Sequence, residues 1–112
     1  MDAPQRHHLA AILVADAAGY SRLMEADEGA TVAALDAARA TFRSEVELNQ
    51  GRIVNMPGDS VLAIFDAAAA AVTAALAIQR RLDAASRDIP EQRRMRFRIG
   101  VHLGDVIETA SG

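Results

Sequence analysis

The sequence predicts one α/β (α+β) sandwich, and three observations point to it. Leu9 to Ala15 is a short continuous apolar run, the length of a strand rather than a helix. Two longer stretches, one from Thr31 and one after Asp66, repeat apolar residues at three- and four-residue steps, as an amphipathic helix does. Met95 to Leu103 alternates apolar and polar residues, as a strand with one covered face does.

Taken in order, Ile12, Leu13 and Val14 make the first run a strand buried on both faces, ending at Asp16. Gly19 follows, and a first helical turn can start at Ser21. Glu28-Gly29 is a weak break. From Thr31, the residues Val32, Leu35, Arg39 or Ala38, Phe42 and Val46 form a helical stripe, and Gly51 stands where a C-cap belongs. Arg52 to Asn55 and Ser60 to Phe65 read as two strands of a hairpin around the turn Met56-Pro57-Gly58-Asp59. Asp66 is a natural N-cap for an alanine-rich helix to about Arg87, whose buried stripe is expected at Val72, Ala75, Leu76, Gln79 and Leu82. Pro90 interrupts a charged loop. In the strand from Met95, the residues Met95, Phe97, Ile99, Val101 and Leu103 share one face. Gly104-Asp105 is expected to turn the chain into a return strand over Val106 to Thr109. The expected order is β-α-α-β-β-α-β-β, a sandwich related to the ferredoxin-like plan.

The 112 residues are 51% hydrophobic, enough for one domain with a core and too few for two. The formal net charge of −3 leaves no basic surface for a nucleic acid backbone. Cysteine is absent, which excludes disulfides and thiolate metal sites. Met1 to His8 is polar, and no apolar stretch is long enough to span a bilayer. A cytoplasmic location is expected. All twelve basic residues other than histidine are arginine.

Asp16 and Asp59 are the first candidates for chemistry. Each has an ordinary structural use alone, Asp16 as a helix N-cap and Asp59 as a turn residue. A receiver-domain phosphoacceptor needs alternating parallel βα units, which the hairpin at Arg52 to Phe65 argues against. In a sandwich of the expected order, the first strand and the hairpin are neighbours, so the two carboxylates can converge at one sheet edge. They would then require a cation, and hard oxygen ligands suit Mg²⁺ or Mn²⁺. The small-residue loop Ala17-Ala18-Gly19-Tyr20-Ser21 opens a helix and can offer backbone N–H groups to phosphate. His7 and His8 read as polar strand-entry residues, and His102 as a residue of a polar strand face.

These segments resemble a known family. Asp16-Ala17-Ala18-Gly19-Tyr20-Ser21-Arg22-Leu23 is similar to the opening motif of class III adenylate and guanylate cyclases. Gly58-Asp59-Ser60-Val61-Leu62-Ala63-Ile64-Phe65 is similar to their second metal-binding motif, and Arg98-Ile99-Gly100-Val101-His102-Leu103-Gly104 to a later strand and turn. The order and spacing match over nearly the whole chain. The resemblance implies that residues 1–112 are one partial, C-terminally incomplete cyclase catalytic domain. It implies that Asp16, Asp59 and the carbonyl of Ala17 hold two Mg²⁺ or Mn²⁺ ions. The N–H groups of Gly19, Tyr20 and Ser21 would hold the triphosphate of ATP. The ribose 3′-hydroxyl would attack the α-phosphorus and expel pyrophosphate, leaving cyclic AMP. A complete domain would act as a head-to-tail homodimer, with Asp59 serving one site and Asn55 facing the other.

Two departures from the family pattern matter. The base-reading lysine of adenylate cyclases falls at Asn55, where guanylate cyclases usually have glutamate; an amide can still donate to and accept from a purine edge. The family's transition-state asparagine and arginine lie downstream of Gly104 and are not among these residues, so the 112-residue chain is expected to be inactive alone. Arg98 matches a sheet residue, not that arginine. The alternative is a non-catalytic cyclase-homology module that binds a nucleotide or a partner subunit. A diguanylate cyclase lacks its GGDEF-like segment here.

Overall fold

The computed structural model describes residues 5–109. Met1 to Pro4 of the polar N-terminal stretch lie outside the described residues.

The first strand, β1 (Gln5–Ala17), is longer than the apolar run that announces it. Its odd positions Ala11, Leu13, Ala15 and Ala17 are buried, whereas Ile12 is half-buried and Val14 is exposed. The expectation of burial on both faces is therefore corrected: helices cover only one face of the strand.

Two helices follow, α1 (Tyr20–Ala26) and α2 (Glu28–Leu48). The break between them falls at Asp27, whose carboxylate accepts from the Ala30 N–H at 3.0 Å and caps α2. The stripe Thr31, Leu35, Ala38, Phe42 and Val46 is buried as its spacing requires, while Val32 is exposed.

The C-terminus of α2 is a Schellman motif with an unexpected assignment. Gln50 N–H donates to Glu47 O at 3.1 Å, and Gly51 N–H donates to Val46 O at 2.8 Å. Gln50 takes the left-handed conformation, with φ 60°. Gly51 is needed for a different reason: a Cβ there would meet the Phe65 ring at 2.5 Å.

The hairpin forms as expected from β2 (Arg52–Asn55) and β3 (Ser60–Phe65). A bulge separates Ile53 from Asn55, and Ser60 N–H donates to Pro57 O at 2.9 Å to close the turn. Gly58 supplies its positive φ of 57°.

The alanine-rich helix is α3 (Ala68–Ala85), capped by the backbone at Ala67 and not by Asp66. Its buried residues are Ala71, Ala74 and Ile78, with Ala75 and Leu82 packed beside them. Val72 and Leu76, expected inside, are exposed. The face that packs carries Ala71, Ala74 and Ile78, so the helix is turned away from the stripe expected at Val72 and Leu76.

After a short 3-10 turn at Glu91–Arg93, β4 (Phe97–Thr109) runs unbroken. No turn occurs at Gly104-Asp105. These residues pair with Ala10 and Leu9 inside a single antiparallel ladder from Gln5↔Thr109 to Ala17↔Phe97. The expected second hairpin is one long strand, because β1 extends far enough to pair with all of it.

The sheet order is β2-β3-β1-β4, with every neighbour antiparallel. Helices and sheet enclose a core in which Phe42, Phe65, Leu13, Ile78 and Val46 are fully buried. Phe42 and Phe97 meet edge to face, their centroids 5.1 Å apart. The fold class is the expected α/β sandwich, here with helices on one face of a four-stranded antiparallel sheet. No helix among the described residues is long and apolar enough to cross a membrane.

Candidate functional site

Ladder register brings the candidate acids together. Asp16, near the end of β1, lies opposite Ser60 on one side and Arg98 on the other. Ser60 follows Asp59, so the hairpin turn sits beside the end of β1. The Asp59 carboxylate accepts from the Ala17 N–H at 3.2 Å. The next amide, Ala18 N–H, donates to Arg96 O at 2.8 Å, closing β1 against β4.

Arg98 faces Asp16 and pairs with it through two bonds, Nε to Oδ1 at 2.9 Å and Nη2 to Oδ2 at 3.2 Å. Both side chains are open to solvent, 44% exposed for Asp16 and 72% for Arg98. The hydrogen bond from Arg98 to Asp16 raises the guanidinium pKa further, and the Asp16 and Asp59 charges reinforce it against slight desolvation. In the sequence Arg98 reads only as a sheet residue. Its signal was the alternation that puts Arg98 on the polar face, where an opposite charge across the ladder is favourable.

An open groove of about 650 Å³ begins at this pair. Asp16, Arg98, Ser60 and Asn55 bring polar groups to it; Val14 and Leu62 form its apolar floor. Asn55, at the end of β2, lines this groove and also a second one behind the hairpin, beside Arg39 and Arg43.

The loop after Asp16 leads into α1 through Gly19, whose φ of 66° turns the chain into the helix. Tyr20 opens α1 and packs against the core, while Ser21 is exposed. The first N–H groups of a helix have no partner within it, so Tyr20 and Ser21 present free main-chain donors near the end of β1. Arg22 Nη1 bonds Gln92 O at 2.8 Å and ties α1 to the 3-10 turn.

The histidines lie elsewhere. His7 is 3.7 Å from Asp105, and His8 is 3.8 Å from Asp66. His102 is an exposed residue of β4. Among the described residues, no group of three or more His, Cys, Asp or Glu gathers as a metal cluster. A cation at Asp16 and Asp59 would have two carboxylates, with its remaining ligands from main chain, water or substrate.

Comparison with known proteins gives consistent relatives. The chain is 48% identical over 103 residues to candidate adenylate cyclase 3 of Rhizobium meliloti (strain 1021), covering 91% of this chain and 18% of that protein. It is 36% identical to an adenylate/guanylate cyclase/hydrolase of Silicibacter pomeroyi, with a TM-score of 0.77, over 94% of this chain and 62% of that one. A bacterial light-regulated adenylyl cyclase superposes with a TM-score of 0.84 at 20% identity, covering 95% of this chain and 33% of that one, a likeness of fold. No family model matches the chain. The chain thus spans less than two thirds of the length of each of these relatives.

Proposed function

We propose that this chain, which belongs to the class III adenylate/guanylate cyclase family, is the metal-binding part of a domain that converts ATP to cyclic AMP and pyrophosphate. The observation that carries this reading is the meeting of Asp16 and Asp59 at one sheet end, joined through the Ala17 amide. The name of the Rhizobium relative favours ATP as substrate.

The donor set fits a hard divalent ion. Two carboxylates with an adjacent main-chain carbonyl, that of Ala17, suit Mg²⁺ or Mn²⁺, since Mg²⁺ is commonly held by one or two carboxylates plus water and substrate phosphates. Asp16 already attracts a cation, the Arg98 guanidinium. Bound there, Mg²⁺ or Mn²⁺ would polarise phosphate oxygens and acidify the ribose 3′-hydroxyl. Asp16 and Asp59 hold the negative charge that recruits the ions. The N–H groups of Gly19, Tyr20 and Ser21 orient the triphosphate, and Asn55 meets the base edge of the nucleotide held by a second copy of the chain. The 3′-oxygen bonds to the α-phosphorus as the bond to pyrophosphate breaks, and the hydroxyl proton passes to solvent. The apolar floor at Val14 and Leu62 keeps water from one side of the nucleotide.

A homodimer completes this reading. Ile12, Leu62 and Ile64 are only half-buried and Val14 is exposed on the sheet face opposite the helices. In a head-to-tail pair that face is covered, and Asp59 serves one site while Asn55 serves the other.

The second reading, a non-catalytic module, is favoured by Arg98 standing on Asp16 and by an amide at the base-reading position. Calorimetry with Mn²⁺ and a non-hydrolysable ATP analogue separates the two. Asp16→Ala and Asp59→Ala are each expected to weaken metal-dependent binding by about tenfold or more. Undiminished binding in both variants rejects the site, and metal-independent binding supports the module.

A further inference from the structure

The turn that carries Asp59 is gripped from two sides. In front, the Asp59 carboxylate accepts from the Ala17 N–H. Behind, Arg39 reaches out of α2 and its Nη2 donates to the carbonyl of Gly58, the residue before Asp59. Arg39 Nη1 lies 3.5 Å from the carboxylate of Asp36, one helical turn earlier, and the side chain is only 30% exposed. Its Nε is buried without a hydrogen-bond partner among the described residues. The stem is therefore packed in place, and the guanidinium is held between α2 and the hairpin.

The geometry of a peptide unit gives this contact a consequence. The Gly58 carbonyl and the Asp59 N–H belong to one planar group. Gly58 sits at φ 57°, and a Cβ there would meet nothing within 4 Å. Glycine imposes little resistance to rotation of that peptide plane, and no packing around Gly58 replaces it. Rotation about the Gly58 Cα–C bond turns the carbonyl and carries Asp59 with it, which would swing its Cα–Cβ bond away from Ala17 and Asp16. A charged donor on the carbonyl opposes that rotation, and charge-assisted hydrogen bonds are the stronger kind.

We propose that Arg39 is a positioning residue for the metal site: by holding the Gly58 carbonyl from behind the hairpin, it fixes the direction of the Asp59 carboxylate. This rests on the reading of Asp16 and Asp59 as metal ligands. It adds a role for a residue of the helix layer that does not touch the groove where Asp16 and Arg98 meet. Loss of an outer partner of a metal ligand typically lowers affinity by about ten- to a hundredfold.

The test uses the full chain, Mn²⁺ alone as probe, and backbone amide NMR. Arg39→Met keeps the length and packing of the stem but removes every donor. Arg39→Gln is shorter, stays polar, and carries the same expectations where the methionine variant does not fold. The expected result is Mn²⁺ affinity reduced about tenfold, with displaced amide signals at Asp59, Ser60 and Ala17 and unchanged signals in the core around Phe42. A merely structural role would lower thermal stability without that localised pattern. Asp59→Ala, measured in parallel, reports on the underlying reading. If Asp59→Ala weakens Mn²⁺ binding while the Arg39 variants bind as wild type with unmoved Asp59 and Ala17 amides, the positioning role is wrong. If Asp59→Ala itself leaves Mn²⁺ binding intact, the metal reading and this inference fall together.

Discussion

Arg98 and Asp16 face each other across two neighbouring strands, and in the proposed reading their pairing sets what metal entry would require. A cation approaching Asp16 meets a guanidinium already bonded to both carboxylate oxygens. Acidity in the neutral range does not release it. The folded-state pKa of Arg98 is raised, so the guanidinium keeps its charge throughout the neutral range and gives it up only as pH climbs past the ordinary guanidinium value and through the folded one. Competition by another cation is the remaining route. Exposed pairs of this kind are weak and are screened by salt. Arg98→Gln is therefore expected to raise the affinity of the chain for Mn²⁺ alone, on the order of two- to fivefold. Added salt should narrow the difference between variant and wild type. A titration of both proteins at low and moderate ionic strength checks this; lower affinity in the variant would mean that Arg98 organises Asp16 rather than competing for it.

Among the elements, the join between α2 and β2 has the least room. The helix ends in a motif that needs one left-handed residue, and Gln50 accepts that conformation although Gly51 stands next to it. Gly51 is spent on close approach, because the Phe65 ring lies where its Cβ would be. Phe65 is 1% exposed and belongs to the core, so it cannot yield by moving into solvent. Gly51→Ala is expected to destabilise the fold by about 1–3 kcal/mol through overpacking. Gln50→Gly should be neutral or slightly stabilising, since it relieves a left-handed side chain. Chemical denaturation of the two variants distinguishes these roles; equal effects would mean that Gly51 serves only as a cap.

At the scale of the whole molecule, one sheet face is packed by helices and the other carries the candidate site beside an apolar surface. Catalysis in this reading is mainly positioning and charge stabilisation. In the proposed reading Asp16 and Asp59 would recruit cations, while the resemblance assigns the cationic group that meets charge on the reacting phosphoryl oxygens to none of these 112 residues. Losing one preorganised stabiliser costs on the order of a hundred- to thousandfold in rate. The 112-residue chain, assayed with Mn²⁺ and ATP, is expected to form no cyclic AMP above background. Light scattering on the same sample reads the association expected of its open sheet face. Robust turnover would show that the residues in hand suffice.

Local spacing by itself determines much of this protein. The stripe from Thr31 to Val46 and the alternation from Met95 to Leu103 are one-dimensional patterns, and each marks the face that packs, except that Val32 and Leu103 are exposed, Leu103 lying where β4 pairs with β1 beyond the helices. The turn at Gly58 was legible because few residues accept its backbone conformation. Asp16 and Asp59 stood out through the motifs around them, and their neighbourhood followed from strand order. Other features depended on partners distant in the chain. Val14 is exposed because no helix covers its face, which strand hydrophobicity does not record. Gly104 looks like a turn residue, yet the first residues of β1 offer it a ladder partner, and pairing overrides local turn preference. On α3 the expected stripe includes Val72 and Leu76, yet Ala71, Ala74 and Ile78 face the core, because an alanine-rich helix offers several similar apolar faces and the sheet it meets decides between them. Arg98 reads as a residue of the polar strand face, and Arg39 only as an alternative to Ala38 in the α2 stripe. Only tertiary structure put one on Asp16 and the other behind Asp59, because a long flexible side chain acquires its partner from whatever the fold brings within reach.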